Sequence, residues 1–364
     1  MKIYISSAET GLTSKKRLSI AKKSTDPNEL SQLAHDNSSL VRMEVLRNKY
    51  TPKNIVDQLA HDLVNDKNPK VRWNVAYITY DPDILAQLAD DPEWEIRREA
   101  AWKIDDPDVV AKLLDDEDPR VRSVATVRTD DSNIHAKMAD DPSGDVRLDV
   151  ANKTTDPDIL AKLADDEDAR VRIAVASKIK DRDILAQLAT DENWRVRRVV
   201  AKSTDDPDIL AMLADDEDVD VRQVVAERTN DPDIIAHLAD DPNGGIRALV
   251  TKKADRDLLA KLANDENPVV RWAVAKETDD FDLLAQWADD PDWQVRTAVA
   301  ERIDDPYILA QLADDEDWRV RRAVAMKTTD PDIRAMLADD EDSRVRSAAG
   351  RRRKSAPSRT TPTL

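Results

Sequence analysis

Apolar positions along this chain come in pairs of short clusters, and the stretch 156–180 shows the arrangement most clearly. Ile159, Leu160, Leu163 and Ala164 fall on one face at helical spacing, and Val171, Ala174, Val175 and Ala176 form a second face. Polar residues separate the two. Asp156-Pro157 reads as a helix start: the Asp side chain caps free N–H groups, and Pro is tolerated at the first helical position, whose N–H has no helical partner in any case. The pattern predicts a first helix of about two turns, partly 3₁₀ in character. A turn follows over 165–167, and Asp168 caps a second helix. Ile179 closes the repeat before Asp181 opens the next.

The same pattern returns every 25 residues from Asp81 to Arg247, and one later repeat has 24. One helix pair of this size cannot bury enough apolar surface to offset the entropy of ordering it, so the repeats must stack on one another. The expected fold is all-α, a right-handed α-α superhelix (an α-solenoid) of about 13 short helix-pair repeats. Residues 1–13 do not match the pattern and read as an N-terminal arm. The solenoid covers 14–350, opening on a half-repeat, because RLSIAKKSTDP from Arg17 matches RLDVANKTTDP from Arg147. Residues 351–364 are basic and rich in Ser, Thr and Pro, and are expected to be a disordered tail dispensable for folding. Five extra residues within 51–66 should lengthen one first helix by about a turn. At Lys253-Ala254-Asp255 one residue is missing from the turn between repeats.

An apolar-Arg pair opens the second helix in 13 repeats, and an Asp stands six residues before each Arg. The series includes Asp91 with Arg97, Asp116 with Arg122, Asp141 with Arg147, Asp166 with Arg172, Asp191 with Arg197 and Asp216 with Arg222. Guanidinium groups fork hydrogen bonds to carboxylates or to turn carbonyls. Repeated along a stack, these pairs form a structural ladder pinning each turn to its own repeat or to the next.

The LAxDxxxxVRxxVA core, with Asp-Pro before the other helix, resembles the leucine-rich repeat variant family and the HEAT-like repeats. The resemblance covers roughly 16–349. It implies stacked short α and 3₁₀ helices, an Asp–Arg ladder between repeats, and binding or scaffolding rather than a reaction. Some leucine-rich repeat variants carry an iron–sulfur cluster held by Cys. This chain has no Cys, so no cluster and no redox role carry over.

Composition narrows the chemistry further. There is no disulfide framework, thiolate metal site or Cys nucleophile among the 364 residues. The four His (His35, His61, His135, His237) lie in different repeats, and the register assigns His135 to the position of Ala161. No HExxH, Walker A or GxGxxG motif occurs. The acidic turns lack the glycine and the terminal Glu of an EF-hand loop, so they read as solvated caps rather than calcium sites. No enzyme activity, metal or cofactor is expected. No apolar run approaches 18 residues and 1–13 has no signal-peptide pattern, so a cytoplasmic, monomeric protein off the membrane is expected. Net charge is −19; six basic and no acidic residues lie from Arg346 onward, which leaves −25 on the rest.

The outward stripe of the second helix carries the candidate site. It runs through the positions of Ala169, Ile173 and Ser177, and elsewhere holds Trp73 with Tyr77, Trp94-Arg98-Trp102, Trp194-Arg198-Lys202, Trp272, Trp293 and Trp318 with Arg322. Trp287 alone among the eight Trp replaces a core Leu. A neighbouring column holds Lys103, Arg128, Lys153, Lys178, Arg228, Lys253, Arg302 and Lys327. Trp and Arg are the residue types of binding hot spots. The expected function is a non-enzymatic scaffold for a protein partner, bound through this ridge. The alternative is nucleic-acid binding along the basic columns, as HEAT-like DNA glycosylases do, against which the acidic body argues.

Overall fold

A computed structural model describes residues 11–350, and these form 27 short α-helices and two 3₁₀ turns. The basic tail 351–364 and most of the arm 1–13 lie outside the described residues. The chain divides into two compact units, Met1–Ile184 and Leu185–Leu364. Each is an α-solenoid of helix pairs.

The reference repeat consists of Pro157–Leu163 and Ala169–Ala176. Asp156 accepts from the Asp158 N–H at 3.0 Å, and Asp168 from the Arg170 N–H at 2.8 Å, so each helix begins on a carboxylate cap. The first helix is a seven-residue α-helix rather than a 3₁₀ segment, and seven-residue first helices recur at Pro82–Leu88, Pro107–Leu113, Pro207–Leu213 and Pro232–Leu238. Ile159, Leu160, Leu163 and Ala164 are buried, as are Val171, Ala174, Val175, Ala176 and Ile179. At the Ile179 position several repeats carry a buried Thr instead. Its hydroxyl accepts the N–H two residues on, as Thr154 does from Asp156 at 3.0 Å, so the polar substitute is satisfied inside the turn.

Irregularities are absorbed locally. Lys53–Leu63 has 11 residues, about one turn more than the others. Where a residue is missing, the second helix Gly244–Val250 ends in the 3₁₀ turn Thr251–Lys253, and Asp255 caps the next helix. Trp287, 6% exposed in its Leu position, is too bulky for the seven-residue form; the helix stops at Phe281–Gln286 and a 3₁₀ turn Trp287–Asp289 completes it. His135 corrects the sequence register. It occupies the core position of Leu160, not that of Ala161: it is 4% exposed, and its Nε2 lies 3.1 Å from the Thr129 carbonyl. Arg334 fills the same column in the last complete repeat and donates to the Thr328 and Ala349 carbonyls, covering the end of the final helix with a cation instead of a Leu.

Within each compact unit, consecutive second helices pack directly on one another, for example Pro268–Glu277 on Trp293–Arg302 and that helix on Trp318–Lys327. First helices pack on the second helix of their own repeat and of the one before. The outward stripes of the second helices therefore adjoin, and this row is the surface on which the candidate site lies.

Candidate functional site

The ladder has a definite wiring. Each Arg uses Nη1 on the backbone carbonyl of the Asp six residues earlier, as Arg97 does to Asp91 at 2.9 Å and Arg147 to Asp141 at 2.9 Å. Nε and Nη2 fork onto the carboxylate of the next repeat's Asp: Arg72 to Asp91, Arg97 to Asp116, Arg122 to Asp141 and Arg147 to Asp166, at 2.6–2.9 Å. The second compact unit repeats this with Arg197 to Asp216, Arg222 to Asp241 and Arg296 to Asp315. Arg247 keeps the contact to Asp265 at 2.6 Å although one residue is missing between them. Each Asp carboxylate also accepts an N–H of its own turn, as Asp116 does from Asp118 at 2.9 Å. Arg172 reaches the Asp166 carbonyl at 2.7 Å. These buried forks hold the turns and leave the second helices' outward stripe untouched.

The basic column is also committed. The Lys178 ammonium donates to the carbonyls of Ala151 at 3.0 Å, Asn152, and Thr154 at 3.1 Å, the last turn of the preceding repeat's second helix. Lys103 and Lys253, three repeats to either side, do the same. Arg302 donates to the Lys276 and Thr278 carbonyls. A cation there meets unpaired carbonyls and the negative end of the helix dipole. Burial pushes the pKa of Lys103, Lys178 and Lys253 down. Arg128, Lys153, Arg228 and Lys327 pair with Asp105, Asp130, Asp205 and Asp304 in the same turns. Replacing Lys178 by Met should cost about 1–2 kcal/mol of stability, read by thermal melting, with no effect on the charge available to a ligand.

The Trp ridge divides by position. Rings at the first helical residue are half-buried and covered by an Arg from the next repeat. The Arg120 guanidinium lies 3.2 Å from the Trp94 ring centre, Arg319 4.3 Å from Trp293, and Arg344 3.3 Å from Trp318. These Arg are held in place by the capping carboxylates Asp118, Asp317 and Asp342. Trp194 has no such cover: the residue in that place is Asp220, and the nearest guanidinium is its own neighbour Arg195 at 4.6 Å. Trp73 stacks on Tyr77 with centroids 5.3 Å apart. Rings further along the helix are open, with Tyr77 58%, Trp102 50% and Trp272 41% exposed.

Four ridge cations differ from all those described so far. Arg98, Arg198, Lys202 and Arg322 have no hydrogen-bond or ion-pair partner among the described residues, and the Nε of Arg98 is buried without an acceptor. The stacking Arg at the second helical position was not legible as part of the ridge. Its signal is an Arg two residues after the capping Asp, 26 residues beyond the Trp it covers.

In the first compact unit a position beside the ridge carries a carboxylate. Asp149 stands where the reference repeat has Ala174. Burial raises its pKa, against the hydrogen bond it accepts from Ser123. A raised folded-state pKa penalises the charged form, so Asp149→Asn should raise the melting temperature near neutral pH, with the gain vanishing below about pH 4.

Among the described residues no group of three or more His, Cys, Asp or Glu is placed to hold a metal ion, and no helix is long and apolar enough to cross a membrane. The fold and the ladder define a helix-pair repeat solenoid. That fold is shared with a leucine-rich repeat variant of novel repetitive motif, 24% identical, over 60% of this chain and 87% of that one, with a TM-score of 0.52. Looser likeness extends to a chain in a structure of Kap95p binding to RanGDP (12% identity, 92% of this chain, 57% of that one, TM-score 0.37). It extends also to yeast importin-β (13%, 95% and 55%, 0.33). This chain spans little more than half the length of those two. No family model and no curated protein matches it.

Proposed function

We propose that the chain is a non-enzymatic scaffold that binds a protein partner through the second-helix ridge. One observation carries this: Arg98, Arg198, Lys202 and Arg322 stand on the Trp-bearing ridge with no ion-pair or hydrogen-bond partner among the described residues, while ladder and column cations are engaged by carboxylates and carbonyls. A cation with no carboxylate or carbonyl partner on an aromatic surface, even one that lies over a ring as Arg98 does over Trp94 at 5.2 Å, is the chemistry of an interface anchor.

Nucleic acid is the weaker reading, because it relied on the basic columns as a phosphate track. Those cations are engaged by the preceding repeat's carbonyls and turn carboxylates. The test is the double change Trp194→Ala with Arg198→Ala, in a chain whose helix content and melting are unchanged. Partner affinity should fall by at least about 2 kcal/mol. Intact binding in that variant, together with loss in Asp165→Asn, would place the working face on the acidic turns and reject the ridge. A steep fall of affinity with salt would favour a nucleic acid instead.

A further inference from the structure

We infer that the groove between Trp293–Arg302 and Trp318–Lys327 binds an acidic segment of a protein partner that also carries an apolar side chain. This rests on the scaffold reading and assigns it a place and a ligand chemistry. The groove encloses about 440 Å³ and has Trp293 and Trp318 as walls, with Thr297, Ala323 and Met326 between them. A second depression of about 340 Å³ shares Arg322 and Met326 with it and continues toward Arg344. Met326 is 51% exposed, an apolar side chain held open at the centre of both.

Charge decides what the occupant must be. Almost every ionised group lining the two depressions is neutralised within the molecule. Glu301 pairs with Lys276 at 2.8 Å, and Lys327 with Asp304 at 2.7 Å. Arg319 pairs with Asp317 at 3.0 Å, and Arg344 with Asp342 at 2.6 Å. Arg322 alone among these lining groups has no counter-charge among the described residues. Arg319 and Arg344 cover faces of the Trp rings, so their flat guanidinium surfaces add area without adding free charge. The groove thus offers one forked donor set in the middle of an apolar and aromatic bed. A carboxylate satisfies the fork bidentately, and an aliphatic or aromatic side chain beside it covers Met326 and the Trp edges.

A nucleic acid strand fits less well. It brings one negative charge per nucleotide and needs a run of free cations, where this groove has one. A basic segment would leave Arg322 desolvated against like charge. The acidic remainder of the body opposes an acidic partner at long range, so affinity should come from close contact and change little with moderate salt.

The test uses a random peptide library selected on the full chain and counter-selected on the full chain with Arg322→Ala and Trp318→Phe. Peptides recovered only by the native chain should be acidic with an apolar residue adjoining Asp or Glu. A representative should lose about thirtyfold in affinity on Arg322→Ala, the size of an interface hot spot. Arg322→Glu should turn the preference toward basic peptides while the melting curve stays that of the native chain. Recovery of basic or uncharged peptides, or of peptides indifferent to both groove changes, overturns the assignment. If the recovered peptides instead depend on Trp194 and Arg198, the scaffold reading stands and the groove assignment falls. If no ridge variant alters peptide binding, both fall. A single-stranded 20-mer oligonucleotide that binds with the same Arg322 dependence, and competes with the peptides, also overturns it in favour of nucleic acid.

Discussion

Replacing Asp116 by Ala should cost about 3–5 kcal/mol, the price of stranding one member of a buried ion pair. Both partners are nearly inaccessible, with side-chain exposures of 9% for Arg97 and 7% for Asp116. The carboxylate takes Arg97 Nε at 2.7 Å and Nη2 at 2.8 Å, and it also holds the Asp118 N–H. Removing it leaves Arg97 Nε without an acceptor and Nη2 with only the exposed Glu117 carboxylate at 3.3 Å, and opens the turn at once. The backbone carbonyl of residue 116 remains for Arg122, so the next rung survives. The loss should therefore show as early melting of the neighbouring repeats, resolved by hydrogen exchange, rather than as uniform weakening. Arg97→Met combined with Asp116→Leu should cost less than Asp116→Ala alone, because no charge is then left buried without its partner. If both single changes at this pair leave denaturant midpoints unmoved, the ladder does not hold the stack.

Acid should destabilise the solenoid through two ladder carboxyls and two capping ones. The guanidinium forks of Arg247 and Arg321 hold the Asp265 and Asp340 carboxyls below the usual carboxylate range, and Arg120 and Arg170 do the same for Asp118 and Asp168. For each, the folded-state pKa lies below the unfolded value. The stabilisation is fully present above about pH 4 and is lost as pH falls through the folded-state value. Losses at these four sites add, so stability should drop from about pH 4 downward, followed by circular dichroism and urea midpoints at each pH. Arg247→Met should make the chain less stable at neutral pH yet flatten part of this dependence, since the largest cause of the lowered Asp265 pKa is then gone. Stability unchanged between about pH 6 and pH 3 would contradict the assignment.

The capped helix pairs, their period and their buried faces follow from local pattern, and the sequence shows all three, down to the longer helix at Lys53–Leu63. What depends on stacking is less legible. The six-residue Asp–Arg spacing leaves open whether the fork serves its own Asp or the next one. The answer is both, by different atoms, because each carboxylate is already turned to cap its own turn and offers only its carbonyl to its own Arg. The basic column reads as surface charge until the preceding helix end is set beneath it. Cover over the Trp rings comes from an Arg 26 residues away, and nothing local to Trp94 or Trp318 announces it.

The uniform wiring has a consequence for how the chain reaches its native state. Arg72, Arg97, Arg122 and Arg147 meet near-identical acceptors, so a repeat docked on the wrong neighbour would find a rung as well made as the right one. Out-of-sequence pairings are thus energetically close to native ones, and sorting them costs time rather than stability. The irregular places, the long helix at Lys53–Leu63, the shortened link before Arg256 and Trp287 in its widened seat, are where such a mispairing cannot close. They act as phase marks that tell otherwise interchangeable modules apart.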